Sequence, residues 1–315
     1  MTNLKPILIL TIMFLSVVMI WQVATMTGFA AGTNETVPST VILTNQVPVI
    51  GNITCGNNNI ITPSPCQNTT VNCWAVVNDS NGATDISVTK AILHNQQAVT
   101  CSLVTPGENS AVCYQNFNCS YTTIDAYARN YTCNFTFRHF AAVTCFLGSP
   151  CPNWTVEFRA NDSANSVANL ASTLPYVENM TALDINETAL GFGSLSLGDT
   201  SGEVNSTITN CGNGNIAINV SGSNLPCSVT GTIPVGNLRY NGTFSTAYAN
   251  DTNLTTSSKR IPLIGLVGGG NSSSLSYRTN ETSYTPGVVY WQIQIPPEGV
   301  KGLCAGNITF YAIRV

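Results

Sequence analysis

The sequence predicts an all-β protein with two tandem immunoglobulin-like β-sandwich domains, preceded by an N-terminal signal peptide or membrane anchor. Apolar and polar residues alternate with a period of two in short runs, and clusters of Gly, Asn, Asp and Pro separate these runs at intervals of about ten residues. No segment has the period of a conventional amphipathic helix. The strand-like runs are Val71–Val77, Thr84–Leu93, Tyr131–Phe137, Trp154–Ala160, Val204–Thr209, Asn215–Val220, Val288–Ile295 and Asn307–Ile313.

Composition divides the chain into four segments. Residues 1–31 form the signal peptide or anchor, and residues 32–46 form a polar linker. A cysteine-rich segment, 47–175, is followed by a segment rich in Gly, Ser and Asn, 176–315. Each of these two segments has a length of about 130 residues, which suits one sandwich. We therefore predict one immunoglobulin-like domain in each.

The first 31 residues have the features of a targeting segment. Lys5 precedes the apolar run Ile7–Val23, and the small-residue site Gly28-Phe29-Ala30-Ala31 follows it, as in a cleaved secretory signal. The 17 apolar-rich residues also reach the lower limit for a membrane-spanning helix, so a retained anchor is the alternative. Both interpretations place the rest of the chain outside the membrane.

The chain is poor in charge. Charged residues make up 8% of its 315 residues, and the formal net charge is −4. Without a basic excess the chain cannot neutralise phosphates, which argues against a nucleic-acid partner. The hydrophobic fraction of 43% is sufficient for a core and excludes a charged disordered chain. Groups other than charged side chains must therefore solvate the surface.

N-glycosylation sequons are abundant. The chain has 19 Asn-x-Ser/Thr triplets, whereas its 36 Asn and 66 Ser and Thr residues predict about seven or eight by chance. Glycans are bulky and confined to the surface. Sequon asparagines within strand-like runs fall out of phase with the apolar residues, as expected for occupied sites. The strand candidates are Asn134, Asn153, Asn205, Asn219 and Asn307.

All twelve cysteines lie between Cys55 and Cys304, without a C-x-x-C motif, which indicates disulfides in an oxidising compartment. Nine precede residue 152 and three follow it, so either one bridge joins the halves or each half keeps a free thiol. Two pairings are open for Cys133: an immunoglobulin-type inter-sheet bridge to Cys73, or a hairpin bridge to Cys119. Further candidates are the pair Cys145 and Cys151, and Cys227 and Cys304.

A short acidic loop offers oxygen ligands. Asp79, Asn81 and Asp85 surround Gly82, in a pattern compatible with a calcium site, although the bidentate acid that completes such a loop is missing. The alternative is a plain hairpin turn, because Asn-Gly between alternating runs favours a hairpin. No other cofactor is predicted.

The sequence carries no enzyme motif. His94 and His139 are the only histidines, and neither falls in a G-x-S-x-G or H-E-x-x-H motif. A secreted hydrolase would require the fold to bring one of them beside an acid or a serine.

The aromatic residues separate into two groups. Trp154 and Trp291 share the phase of their apolar neighbours, so we predict that both lie in the cores. Tyr290 and Tyr311 fall on the opposite phase and are expected to face solvent, where they favour a carbohydrate- or ligand-binding surface.

The combined pattern resembles a known group of proteins. In the first half it consists of Val71, Cys73, Ala75, Val77, Asp79, Gly82, Asp85, Asn118-Cys119, Tyr131, Cys133, Phe135, Ala141-Ala142 and Trp154-Thr155-Val156. In the second half it consists of Ala182-Leu183-Asp184, Gly191-Phe192-Gly193, Asn210-Cys211-Gly212-Asn213, Ser221-Gly222, Ile233-Pro234-Val235, Tyr290-Trp291 and Gly306-Asn307-Ile308-Thr309-Phe310. Together these resemble uncharacterised secreted or cell-surface archaeal glycoproteins built from tandem immunoglobulin-like sandwiches. The resemblance implies a location and a fold, and no activity.

These observations predict a non-catalytic, heavily N-glycosylated, disulfide-bonded extracellular or cell-surface protein with a structural or adhesive role in the cell envelope. The expected partners are other envelope components, with membrane contact only through a retained N-terminal segment. A secreted carbohydrate- or ligand-binding module, with or without calcium, is the alternative, and a secreted hydrolase is the third. Because the chain ends in a strand-like run, polymerisation by strand exchange is a further hypothesis.

Overall fold

The computed structural model describes residues 39–95, 101–103, 111–144, 153–173, 175–244, 247–261, 274–282 and 285–315. Strands and two 3-10 helices make up its regular structure, which confirms the all-β prediction. The N-terminal half contains β1 (Val49–Cys55), β2 (Ile60–Ile61), β3 (Thr69–Asn78), β4 (Ile86–Asn95), β5 (Cys113–Asn116), β6 (Ser120–Thr123), β7 (Ala128–Phe137), β8 (Trp154–Asp162), β9 (Val167–Ser172) and β10 (Tyr176–Val177).

The C-terminal half contains the two 3-10 helices, Val235–Asn237 and Tyr248–Asn250, and ten strands. The strands are β11 (Leu183–Ile185), β12 (Val204–Asn210), β13 (Ile216–Gly222), β14 (Leu225–Pro226), β15 (Thr232–Ile233), β16 (Leu238–Asn241), β17 (Thr252–Asn253), β18 (Lys259–Arg260), β19 (Gly287–Ile293) and β20 (Ile308–Arg314). Neither helix has the length or apolarity to cross a membrane, and the same holds throughout the described residues.

The chain forms two compact units, Met1–Thr44 and Asn45–Val315. In the first, residues 39–44 are exposed and have no regular structure. The second holds every strand and two separate hydrophobic cores, one built from β1–β10 and one from β11–β20. Val177 belongs to the first core and Leu183 packs against the second, so the change of core falls between them, slightly beyond the compositional boundary.

The first core lies between a sheet with strand order β1-β3-β7-β6 and a sheet with order β5-β4-β8-β9. Period-two alternation creates its inner faces, because every second residue of 71–77, 131–137 and 154–162 is buried. Trp154 is fully buried, as predicted, and its indole N–H donates to the carbonyl oxygen of Ala142 at 2.7 Å. The ring of Phe137 packs 5.4 Å from it.

The second core lies between a five-stranded sheet, β11-β12-β19-β16-β17, and a three-stranded sheet, β18-β13-β20. Trp291 is fully buried here, again as predicted, and its indole N–H donates to Ser206 Oγ at 2.9 Å. The ring of Tyr240 packs 5.6 Å from it. Both halves are thus layered β structures.

Five disulfides link all ten cysteines that the structure describes, which supports the disulfide-bonded character predicted above. They are Cys55–Cys73, Cys66–Cys211, Cys101–Cys113, Cys119–Cys133 and Cys227–Cys304. The inter-sheet pairing of Cys73 with Cys133 does not form, because β3 and β7 are neighbours in one sheet, whereas the alternative pairing of Cys133 with Cys119 is confirmed. Cys145 and Cys151 lie outside the described residues.

The bridge between Cys66 and Cys211 joins the two halves, which accounts for the odd cysteine count in each. An ion pair from Arg138 Nε to Glu281 Oε1, 2.7 Å long, also crosses between them. The guanidinium of Arg278 lies over the Phe140 ring at 5.1 Å. These contacts hold both cores in a single compact unit.

Candidate functional site

A groove in the C-terminal half borders β20 at one of its two cavities. It consists of two adjoining cavities, with volumes of about 430 and 810 Å³, whose walls share Leu190, Phe192 and Leu225. Further apolar side chains line it from both sheets and from the loop before β20: Ile185, Leu238, Ile293, Val300, Ile308 and Phe310. Polar residues such as Glu187, Ser223 and Lys301 also line the groove, so it can take apolar side chains together with polar backbone groups.

The groove is open because the sheet that contains β20 has three strands, whereas the opposite sheet has five. β20 is an edge strand that pairs with β13, and no other described strand pairs with it. Its core-facing residues Ile308 and Phe310 remain partly exposed, whereas Ile218 and Val220 of β13 are fully buried. An added strand can therefore pair with the free edge while its side chains enter the groove.

Residues 188–197, which connect β11 to β12, form part of the groove wall and have no strand structure. Leu190, Phe192 and Leu195 of this segment pack half-buried against the second core. A Cβ atom placed on Gly191 or Gly193 would meet no atom within 4 Å. The two glycines therefore lie on the solvent side of the segment.

A contiguous apolar run lies in the first compact unit, Met1–Thr44. Val41, Ile42 and Leu43 are 80%, 92% and 82% exposed, more than any other large apolar side chain that the structure describes. Single exposed apolar residues are common, but a contiguous exposed run is typical of a segment that binds another protein surface or a membrane. The predicted linker 32–46 therefore contains, in its described part, an apolar segment of its own.

The acidic loop forms a different site from the one that the sequence predicts. Carboxylate oxygens of Asp79, Asp85 and Asp162 all lie within 4.8 Å of one another. Asp79 follows β3, Asp85 precedes β4, and Asp162 ends β8, whose register pairs it with Ile86. Because β3 and β4 belong to different sheets, the loop is a connection between sheets, and the hairpin interpretation is wrong.

Asn81, the third predicted ligand, has another role. Its side-chain oxygen accepts the backbone N–H of Gln46 at 2.7 Å. Sequence reasoning missed Asp162, which lies 77 residues after Asp85, although a signal was present. The core-facing alternation of Trp154–Asp162 continues through its last residue and places that acid among buried positions.

Hydrogen bonds hold Asp162 in place. Asn45 Nδ2 donates to its Oδ2 at 2.7 Å, and the backbone N–H of Ser166 donates to its Oδ1 at 2.7 Å. Burial raises the pKa of Asp162, but these bonds and one from the backbone of Ala164 outweigh burial and hold that pKa below its ordinary value. Asp162 is therefore stabilised as a carboxylate.

The described sequon asparagines all reach solvent. Twelve of these seventeen are exposed and five are half-buried, including Asn130 and Asn219, and none is buried. The strand candidates Asn134, Asn153, Asn205 and Asn307 are all exposed. The buried asparagines of the described chain, which lie outside sequons, are Asn95, Asn210 and Asn213. The placement is compatible with attached glycans.

The two histidines lie on different elements. His94 is in β4, opposite Cys113 and Thr155 in the sheet. His139 follows β7 and is 6% exposed, with its Nε2 atom buried and without a hydrogen-bond partner among the described residues. Burial, followed by the nearby Arg278 and Arg138 charges, lowers the pKa of His139 against an opposing effect of Glu281.

The predicted outward aromatic residues differ in exposure. Tyr290 is half-buried and its ring meets the Phe244 ring edge-on at 5.7 Å. These two rings, with Glu203 and Asn205, line a shallow cavity of about 320 Å³. Tyr311 is 43% exposed, and its hydroxyl lies 3.2 Å from Ser221 Oγ.

No protein-family model and no curated protein matches the chain. Among solved structures, a DUF4785 family protein from Legionella pneumophila is similar at 8% identity and a TM-score of 0.25, covering 86% of this chain. The match covers 48% of that protein, so the chain spans about half its length. Carbohydrate-binding modules from the β-sandwich superfamily are similar at 12% identity and a TM-score of 0.21, covering 86% of this chain and 97% of theirs. Neither similarity carries an argument about function.

Proposed function

We propose that this chain is a non-catalytic, N-glycosylated extracellular protein with a structural role in the cell envelope, and that it assembles head to tail by strand addition. In this assembly residues 39–44 of one copy pair with β20 of the next copy. The observation that carries the proposal is the apolar groove beside the free edge of β20.

The energetics favour an apolar strand as the occupant. Burying Val41 and Leu43 would each contribute about 1.5–3 kcal/mol, or about 3–6 kcal/mol together. Backbone hydrogen bonds to the edge of β20 would add about 0.5–1.5 kcal/mol each. In an extended segment Val41 and Leu43 point to the same side, so both can enter the groove while Ile42 faces away.

The proposed contact joins two different surfaces of the chain. Such a contact is heterologous, and repeating it generates a ring or an open filament rather than a closed dimer. Asn45 bonds to Asp162, and Gln46 bonds to Asn81, within the N-terminal half. The donor residues 39–44 therefore end directly before a fixed point of the chain. The groove lies in the C-terminal half, so each copy offers a donor and an acceptor.

The extracellular location rests on the cysteines and the sequons. Five disulfides in the described chain favour an oxidising compartment. Glycans at the solvent-facing sequons would solvate a surface that has few charges, and their bulk would oppose aggregation through the other strand edges.

The test uses the full chain secreted by a host that glycosylates proteins and forms disulfides. Sedimentation velocity is expected to show polymers that grow with concentration for the native chain, and monomers for Val41→Asp with Leu43→Asp. Val167→Asp, at an exposed position of β9, is the matched control and should leave the polymers unchanged. A monomeric native chain at high concentration would contradict the proposal.

A peptide experiment separates the possible occupants. A labelled peptide with residues 37–46 should bind the Val41→Asp, Leu43→Asp chain, and the same peptide with Leu43→Asp should not. If the native chain is a monomer that excludes the peptide while the variant binds it, the segment fills the groove of its own chain, and head-to-tail assembly is wrong.

The Phe244 and Tyr290 rings favour a second candidate, a carbohydrate- or ligand-binding module. Aromatic faces beside polar groups are typical of sugar-binding surfaces. Glycan-array binding that Tyr290→Ala abolishes would support this function. Binding that is unchanged in that variant, or absent in the native chain, would exclude this cavity as the site.

A further inference from the structure

We propose that Asp79, Asp85 and Asp162 bind a calcium ion between the two sheets of the N-terminal half. The three carboxylates come from three separate stretches of the chain, and their oxygens lie within 4.8 Å of one another. This site is independent of the assembly proposed above.

The strongest indication is the second oxygen of Asp79. Asp79 is 1% exposed, and its Oδ1 accepts the backbone N–H of Asn81 at 2.8 Å. Its Oδ2 is buried and has no hydrogen-bond partner among the described residues. An unpaired buried carboxylate oxygen is unfavourable unless a cation or a proton compensates it.

No basic side chain in the described part of the chain supplies that compensation. Among the described residues, no ion pair reaches the three aspartates. Three like charges at this spacing repel one another, and the burial of Asp79 and Asp162 strengthens the repulsion because water screens it less. A divalent cation would turn the repulsion into attraction.

The donor set suits calcium. It contains carboxylate oxygens and no nitrogen or sulfur, which selects hard cations. Calcium binds oxygens at about 2.4 Å, so ligands on opposite sides of one ion are about 4.8 Å apart, the upper limit of the spacing found here. Calcium also tolerates irregular ligand arrangements, whereas magnesium demands a near-ideal octahedron.

The ion would fix the point at which the chain enters its first sandwich. Asn45 bonds to Asp162, and Gln46 bonds to Asn81 within the same loop. Calcium would thus connect three parts of the chain: residues 45–46 before β1, the link from β3 to β4, and the turn between β8 and β9. An extracellular module of this kind binds calcium with a Kd of about 10⁻⁴–10⁻³ M.

The test measures calcium binding by the full chain after treatment with EDTA. Isothermal titration with calcium chloride should give one site per chain, and 10 mM calcium should raise Tm by about 5 °C. The test variants are Asp79→Asn and Asp162→Asn, neither of which creates a new sequon. Asp184→Asn, an exposed acid of β11, is the matched control.

Both test variants should lose the heat signal and the calcium-dependent Tm shift, while the control keeps both. In EDTA, Asp79→Asn should melt at or above the native Tm, because it removes repulsion from the empty cluster. This sign separates a metal site from a purely structural aspartate, whose loss would lower Tm with or without calcium. Equal calcium shifts in native and variant chains, or binding of magnesium but not calcium, would overturn the proposal.

Discussion

The bridge from Cys66 to Cys211 should contribute more to stability than any local disulfide, because it closes a span of 145 residues. Cross-linking a loop of this length lowers the entropy of the unfolded chain by an amount worth about 5 kcal/mol at room temperature. The other bridges shorten the effective loop, so we expect about 4–5 kcal/mol. The perturbation is the double variant Cys66→Ser, Cys211→Ala, which leaves no unpaired thiol.

The assay is equilibrium unfolding in guanidinium chloride, with ΔG taken from the midpoint and slope. The pair Cys101→Ser, Cys113→Ala is the control, because its bridge spans 12 residues and is worth about 3 kcal/mol. A non-reducing peptide map should connect the peptides that contain Cys66 and Cys211. If the map links Cys211 to another cysteine, or if the long bridge costs no more than the control, the reasoning is refuted.

Two further predictions concern the buried side chains of Asn210 and His139. Asn210→Ala should destabilise the chain by about 2–4 kcal/mol, because Asn210 Nδ2 donates to the carbonyl oxygens of Gly214 and Leu275, and its Oδ1 accepts the N–H of Gly212. Asn134→Gln, at an exposed position, is the control and should change ΔG by less than about 0.5 kcal/mol, and an equal loss in both variants would contradict this difference. The pKa of His139 is lower in the folded chain than its ordinary value of 6.5, so the unfolded chain binds the proton more tightly. The stability contributed by the neutral His139 side chain is therefore complete above pH 6.5 and is lost as the pH falls through the folded pKa. Tm should therefore decrease less between about pH 7 and pH 5 in His139→Gln than in the native chain, and parallel profiles would refute the assignment.

Period-two alternation made much of the fold predictable. It identified the inner faces of β3, β7, β8 and β19, and it placed Trp154 and Trp291 in the cores, where both are fully buried. It also assigned Asn134 and Asn205 to the solvent side, where the structure has them. These results follow from local geometry, because successive side chains of a strand point to opposite faces wherever the strand lies.

Strand neighbourhood was not predictable from the same pattern. The sequence left two pairings open for Cys133, an inter-sheet bridge to Cys73 and a hairpin bridge to Cys119. The first is wrong because β3 and β7 lie side by side in one sheet, and the second is confirmed. The same limitation affected the Asn81-Gly82 turn, which connects two sheets rather than two paired strands. Alternation states which face a residue occupies and does not state which strand lies beside it.

By itself, then, the sequence determined the all-β class, the disulfide-bonded character and a composition that is rich in polar sequon residues and poor in charged ones. Only the tertiary structure decided that Cys66 reaches Cys211, that Asp162 joins Asp79 and Asp85, and that β20 has one neighbour among the described strands. The physical reason is the range of each interaction. Strand phase and turn chemistry act over a few residues, whereas a bridge, an acidic cluster and an open edge depend on which distant strands pack together.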